Sequence, residues 1–200
     1  ILATNTNSDI FKNYVSPEDI LITNTLSSQE LILDVVSFLC EKDIKLDALG
    51  TFRENVVIQT ADLAEALELP GVGSGAARRS SQNKLLMRET LNKHGFLSQP
   101  RFKAINIYNS EHKAALEEFP KPCVIKPLYG TASFGVKMLT SNKDLVIDIE
   151  EVKSTIQSST REAFKYFKGE MILEEYVPGR VISIDGIVCD EKIHIIGSID

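Results

Sequence analysis

Apolar positions along this chain fall into short continuous runs and longer stretches with helical spacing, and the two kinds alternate. The run Asp19-Ile20-Leu21-Ile22-Thr23 predicts a short strand. Ser27-Ser28-Gln29-Glu30 then has the form of a capping box, a hydroxyl at the helix start with an acid or amide three residues on. It opens a helix whose Leu31, Ile32, Val35, Val36 and Leu39 share one face. Residues 46–52 predict a second strand, and residues 55–69 a second amphipathic helix stopped by Pro70-Gly71. Strand and helix alternating over short links predict a parallel, doubly wound sheet wrapped by helices. More of that sheet is expected before residue 1, and residues 1–18, polar and aperiodic, are assigned no element.

Gly71-Val72-Gly73-Ser74-Gly75 reads as a flexible connection and places a domain boundary. Its glycines follow a helix, whereas a dinucleotide fingerprint needs them after a strand. A third helix is expected over residues 81–94, with Lys84 and Arg88 four apart on one face and Leu85, Leu86 and Leu91 packing. Residues 100–105 predict a strand and residues 110–119 a short helix. After a hairpin over residues 122–139, helices are expected over residues 141–148 and 154–167, the second with a polar face of Arg161, Glu162, Lys165 and Lys168. Residues 170–177 predict a strand turned by Pro178-Gly179. Two further strands, residues 181–189 and 192–199, are joined at Asp190-Glu191.

With 200 residues, 43% hydrophobic and 25% charged, the composition suits one large or two small globular domains. No segment approaches the roughly 18 uninterrupted apolar residues of a membrane-spanning helix. The first residues have neither a basic nor an apolar region of a signal peptide, and the missing initiator methionine suggests a truncated chain. A net charge of −6 argues against general nucleic-acid binding, which needs a basic face neutralising many phosphates. The local basic cluster of Arg78, Arg79, Lys84, Arg88 and Lys93 fits a small anionic ligand better. Cys40, Cys123 and Cys189 have no metal-ligand spacing and read as small buried hydrophobes of a reducing, cytoplasmic compartment. His94, His112 and His194 read as structural or solvated, with no Ser/His/Asp arrangement among them.

The chemistry concentrates in Pro122 to Leu139, PCVIKPLYGTASFGVKML. Period-two alternation puts Val124 and Lys126 on one face of the first strand and Cys123 and Ile125 on the other. The ammonium of Lys126 therefore leaves the sheet where the small, polar loop Gly130-Thr131-Ala132-Ser133-Phe134-Gly135 begins. Glycines let backbone N–H groups approach oxyanions, hydroxyls add donors and a lysine adds a point charge, a combination suited to polyphosphate. The loop is not a P-loop, because Val136 stands where the lysine belongs and the chain continues into a strand instead of a helix. Downstream, Glu174 and Glu175 sit side by side in an apolar run. They face opposite sides of a strand, so one acid lines a cleft or lies buried with a partner, the alternative being an edge strand that carries protective charges.

Four blocks in this order resemble the motifs of the ATP-grasp superfamily. They are Asn83-Lys84-Leu85-Leu86-Met87-Arg88, Pro122 to Lys137 with its glycine loop, Glu174-Glu175-Tyr176-Val177-Pro178-Gly179, and Ser183-Ile184-Asp185-Gly186. The similarity is nearest to carboxylate–amine ligases of the L-amino-acid (dipeptide) ligase type and covers nearly the whole chain. It implies an α/β fold: a doubly wound pre-ATP-grasp domain at residues 1–75, a linker and start of the central part at 76–120, an α+β lid at 121–177, and the start of a truncated C-terminal subdomain at 178–200. It further implies that Lys84 reaches the ATP phosphates, that Lys126 contacts the α-phosphate and the adenine side, and that Gly130, Thr131, Ala132, Ser133 and Gly135 close over the β- and γ-phosphates. Adenine would be recognised by the Glu174 side chain and the backbone of Glu175 and Val177.

Such ligases activate a carboxylate as an acyl phosphate and pass it to an amine, releasing ADP and phosphate. The implied partners are small carboxylate and amine substrates, amino acids foremost, with no nucleic acid or membrane; a homodimer is open to it. Val181 stands where the family pattern has a ribose-binding acid, leaving Asp185 as the candidate substitute. The family's Mg²⁺ ligands would fall beyond Asp200, so no metal site is expected within this chain and no catalytic residue is assigned. The piece alone is expected to be inactive. A nucleotide-sensing domain without turnover and a biotin-carboxylase-like enzyme share the same nucleotide motifs and are the alternatives.

Overall fold

The computed structural model of the chain describes all residues except 1, 5–10, 12, 97, 131, 162, 163, 165, 166, 190, 191 and 200. Strands β1 (Leu2–Thr4) and β2 (Ile20–Ile22) pair in parallel, Leu2 opposite Ile20. At three residues β1 is too short to show a period, so the first 18 residues hold a strand that their pattern hides. Helix α1 (Ser28–Lys42) starts at the expected cap, where the Ser27 hydroxyl accepts a hydrogen bond from the Glu30 N–H at 3.3 Å. Leu31, Val35 and Leu39 of α1 pack with Leu63 of α2 (Val57–Ala66), and Leu21, Ile44, Leu46 and Leu49 close the cluster.

Residues 46–52 form no strand. Leu46 and Leu49 turn onto the helices, Phe52 is exposed, and no described strand pairs with the segment, so its apolar run serves as packing without a ladder. The glycine-bearing stretch is only partly a connection, because α3 (Ser74–Ser80) begins inside it. The Ser74 N–H donates to the Glu65 carboxylate at 3.0 Å, and Arg78 pairs with Asp62 at 2.6 Å. Helix α4 (Lys84–Lys93) follows, capped by Asn83, whose side-chain oxygen accepts from the Leu86 N–H at 3.0 Å.

The second half centres on a four-stranded antiparallel sheet of β3 (Phe102–Asn106), β4 (Cys123–Pro127), β5 (Lys137–Leu139) and β6 (Glu170–Glu175), in the order β3-β6-β4-β5. Helices α5 (His112–Glu118) and α6 (Leu145–Gln157) cover one face. There Ile105, Cys123, Ile125, Leu139, Met171 and Leu173 meet Leu116, Leu145, Ile149, Val152 and Ile156 in one core. In place of separate helices at residues 141–148 and 154–167 there is the single α6. Its apolar residues at 145, 149, 152 and 156 form an unbroken helical stripe. Beyond it Phe164 and Phe167 pack as an aromatic pair, 6.1 Å between centroids. Of the predicted polar face, Glu162 and Lys165 lie outside the described residues.

β7 (Ser183–Cys189) and β8 (Lys192–Ile199) form an antiparallel hairpin; its joining residues 190 and 191 lie outside the described set. Cys123 is buried as expected, but Cys40 is exposed, because its position on α1 faces away from the Leu31–Val35–Leu39 stripe. Nothing is described of the Cys189 side chain. Among the described residues no helix is long and apolar enough to cross a membrane. The mixed α/β class expected from the sequence is what forms.

Candidate functional site

Alternation along β4 and β6 sets up the site. Val124 lies opposite Glu174 and Lys126 opposite Ile172, so these four share one face of the sheet while Ile125 and Leu173 share the other. The first face carries the charges. With α4 above it and the residue 128–136 loop at one end, it bounds a cleft of about 580 Å³. Of the residues expected at a nucleotide site, Lys84, Lys126, Gly130, Ala132, Ser133, Glu174, Glu175 and Val177 all line this cleft. Thr131 lies outside the described residues.

Gly135 is not among the lining residues, and its place has another cause. Its φ is +72°, and a Cβ there would come within 3.0 Å of Pro127 Cγ and 3.2 Å of Ile156 Cγ1. It is a packing glycine that lets the loop return over the core.

Glu174 is the acid that turns inward, only 5% exposed. Arg88 Nε donates to its Oε1 at 2.9 Å, and Lys126 Nζ donates to Oε2 at 2.5 Å. Burial alone pushes the Glu174 carboxyl up, but the hydrogen bonds and charges of Arg88 and Lys126 more than offset it and hold it below the usual carboxylate range. Glu175 turns outward to Arg101, 3.1 Å away. Lys84 Nζ donates to the Gly130 carbonyl at 2.9 Å, and its backbone N–H donates to the Leu128 carbonyl at 3.1 Å, so α4 grips the root of the loop. Burial and the neighbouring Lys126 charge lower the Lys84 pKa.

The loop is held in an unusual backbone shape. Gly130 has φ +141°, and Ala132 and Ser133 both have φ +55°. Non-glycine residues in the left-handed region cost on the order of 1 kcal/mol each and gather at ligand clamps. Phe134 anchors the loop tip, its ring 5.2 Å from that of Phe164 and 4.4 Å beneath the Arg161 guanidinium. At the far end of β6, the Glu175 N–H donates to the Arg101 carbonyl at 2.8 Å and the Tyr176 N–H to the Pro122 carbonyl at 3.2 Å. The hinge N–H left for a ligand is that of Val177, for which no acceptor is found among the described residues.

Two cationic side chains, Arg88 and Lys126, thus converge on one buried carboxylate, with Lys84 close by on the Gly130 carbonyl, beside a loop whose backbone is bent for close approach. The arrangement suits an anion at the loop end and a hydrogen-bond acceptor near Val177, just past the end of β6. Arg88 was visible in the sequence as a helix-face neighbour of Lys84, but nothing there placed it against Glu174, 86 positions on. Glu54, Phe134 and Tyr176 also line the cleft without having been singled out for it. No histidine lines it. Among the described residues no group of three His, Cys, Asp or Glu side chains is placed to hold a metal ion.

Residues 119–199 match the family model for an ATP-grasp domain. The chain is 29% identical over 156 residues to an alanine–anticapsin ligase of Bacillus subtilis strain 168, and 26% over 157 residues to that of Bacillus amyloliquefaciens. Each match takes in 72% of this chain but only 32% and 33% of the relatives, so the chain spans about a third of their length. In fold it is similar to an L-amino acid ligase from Bacillus licheniformis, with a TM-score of 0.65 and 21% identity over 90% of this chain and 38% of that one. It is similar also to an ADP-complexed N5-carboxyaminoimidazole synthetase from Staphylococcus aureus, with a TM-score of 0.65 and 17% identity over 98% of this chain and 46% of that one. The resemblance drawn from the four motif blocks is borne out.

Proposed function

We propose that this chain is the ATP-binding part of an ATP-dependent carboxylate–amine ligase of the ATP-grasp superfamily, a reading supported by the family-model match over residues 119–199 and the ligase relatives. The observation that carries the reading is the meeting of Arg88 and Lys126 on Glu174, with Lys84 on the Gly130 carbonyl, at the mouth of the residue 130–135 loop. Lys126 and Lys84 would take phosphate oxygens, the loop N–H groups would cover the terminal phosphates, and Val177 N–H with the Glu174 carboxylate would read adenine. The chain's contribution is to position and neutralise charge, which is most of what phosphoryl transfer asks of a protein.

ATP supplies the γ-phosphoryl group: a substrate carboxylate oxygen attacks it as ADP leaves, and the acyl phosphate then loses phosphate to an attacking amine, which gives up a proton. The substrates are read as amino acids, the compartment as the cytoplasm, and the Mg²⁺ ligands as residues outside this chain, without which it does not turn over. The lid is read as residues 121–177, with the pre-ATP-grasp domain at 1–75. The test is an assay of the full-length protein with Mg-ATP, an amino acid and an amine. The expected result is ADP and phosphate release that needs both substrates. ATP binding without turnover for any substrate pair would favour a nucleotide-sensing domain instead.

A further inference from the structure

Arg88 is the group at this site whose position the phosphate chemistry does not explain. It lies on α4 one turn beyond Lys84, yet it points to the hinge end of the cleft, where it forks onto Glu174: Nε to Oε1 at 2.9 Å and Nη2 to Oε2 at 3.4 Å. Its side chain is largely covered, 19% exposed. A carboxylate offers roughly four lone-pair positions. Two hydrogen bonds from Arg88 and one from Lys126 occupy three, and the position left is on Oε1.

The two cations are not equivalent. Lys126 is a single flexible point charge that also lines the cleft toward the loop, so it is the cation free to turn to an anionic ligand. Arg88 is a planar fork that stays protonated at any ordinary pH. The groups facing Glu174 are Arg88 and Lys84 from α4 and Lys126 from β4; its β3 partner is Phe102, which carries no charge.

We propose that Arg88 is the positioning residue for base recognition: it keeps Glu174 ionised and aimed when Lys126 turns to phosphate, so that Oε1 can accept only from an amino group of the base. An ionised carboxylate has no hydrogen to give, so a base with an oxo group at that place meets lone pair against lone pair. A protonated Glu174 could donate to that oxo group, and the discrimination would narrow. The inference rests on the nucleotide reading above and concerns which residue sets its selectivity.

The experiment measures the affinities of full-length wild-type, Arg88→Met and Arg88→Lys protein for ATP and for ITP, which carries an oxo group in place of the adenine amine, between pH 5.5 and 8. The wild type is expected to prefer ATP by on the order of tenfold or more, equally at every pH. In Arg88→Met the buried carboxyl loses its main partner and its pKa rises, so the preference should shrink as the pH falls. Arg88→Lys should restore a pH-independent preference of smaller size. A purely structural role would weaken both nucleotides alike and leave their ratio flat. A ratio unchanged from wild type in both variants at every pH overturns the role of Arg88 while leaving the nucleotide site standing. If Arg88→Met does not fold, an Arg88→Lys ratio equal to wild type does the same. Wild-type protein that binds neither nucleotide overturns the proposed function, and this inference with it.

Discussion

The two faces of the β3-β6-β4-β5 sheet are made by the same strands and have opposite chemistry. On one, Cys123, Ile125, Leu139, Met171 and Leu173 are wholly buried against α5 and α6. On the other, one residue along, Lys126 and Glu174 meet Arg88 above a cleft. Because a strand alternates with period two, four or five consecutive residues serve both the core and the site. Stability and ligand chemistry are therefore separable by single substitutions a residue apart.

The largest effect is expected on the core face. Leu173→Ala removes a fully buried side chain from the central strand and should cost on the order of 2–5 kcal/mol of unfolding free energy by denaturant titration. A loss under about 1 kcal/mol would mean that this face is not the organising core. Next comes Lys126→Met on the other face. It keeps the stem volume and drops the charge, so ATP affinity should fall by about tenfold or more; Glu174 loses one of its two cations but keeps Arg88, so the fall in unfolding midpoint should stay well below that of Leu173→Ala. An unchanged affinity would remove Lys126 from the site, and a large stability loss would erase the distinction between the faces.

A smaller effect separates the faces by pH. The folded Glu174 carboxyl titrates below its reference value of 4.5, so its pairing stabilises the fold fully above that pH and is lost as pH falls through the lower folded value. Stability curves of wild type and Glu174→Gln should therefore differ in slope only on the acid side of about pH 4.5. Equal slopes there would show that the ion pairs do not act in solution. The smallest effect belongs to Arg101→Ala. It breaks the exposed pair with Glu175, and the denaturant midpoint should stay close to that of wild type.

Much of this was legible in the chain because it is local. The Ser27 cap, the shared face of Lys84 and Arg88, the alternation through Cys123–Pro127 and the inward turn of one of two adjacent acids all follow from residues within a turn or a strand of each other. What the sequence hid depends on distant partners. Residues 46–52 are as apolar as a strand should be, but a strand also needs a neighbour, and here the leucines found helices instead. The single helix α6 was misread as two because the chain's polar breaks looked like ends, whereas the 145–149–152–156 stripe runs straight through them. Among the site residues, Gly135 is placed at the phosphates by the family resemblance, and the packing of Pro127 and Ile156 gives it a further reason to be there. Arg88 could be put on the right face but not against Glu174, since that contact joins elements 86 residues apart.

The central claim is that the cleft between α4, the residue 130–135 loop and the end of β6 is the nucleotide site. Hydrogen–deuterium exchange of the full-length protein with and without ATP tests it most directly. The account predicts slowed exchange at the loop amides of residues 130–135 and at Val177, with the core strand amides of Ile125 and Leu173 unchanged. ATP binding that protected neither the loop nor the hinge would contradict it.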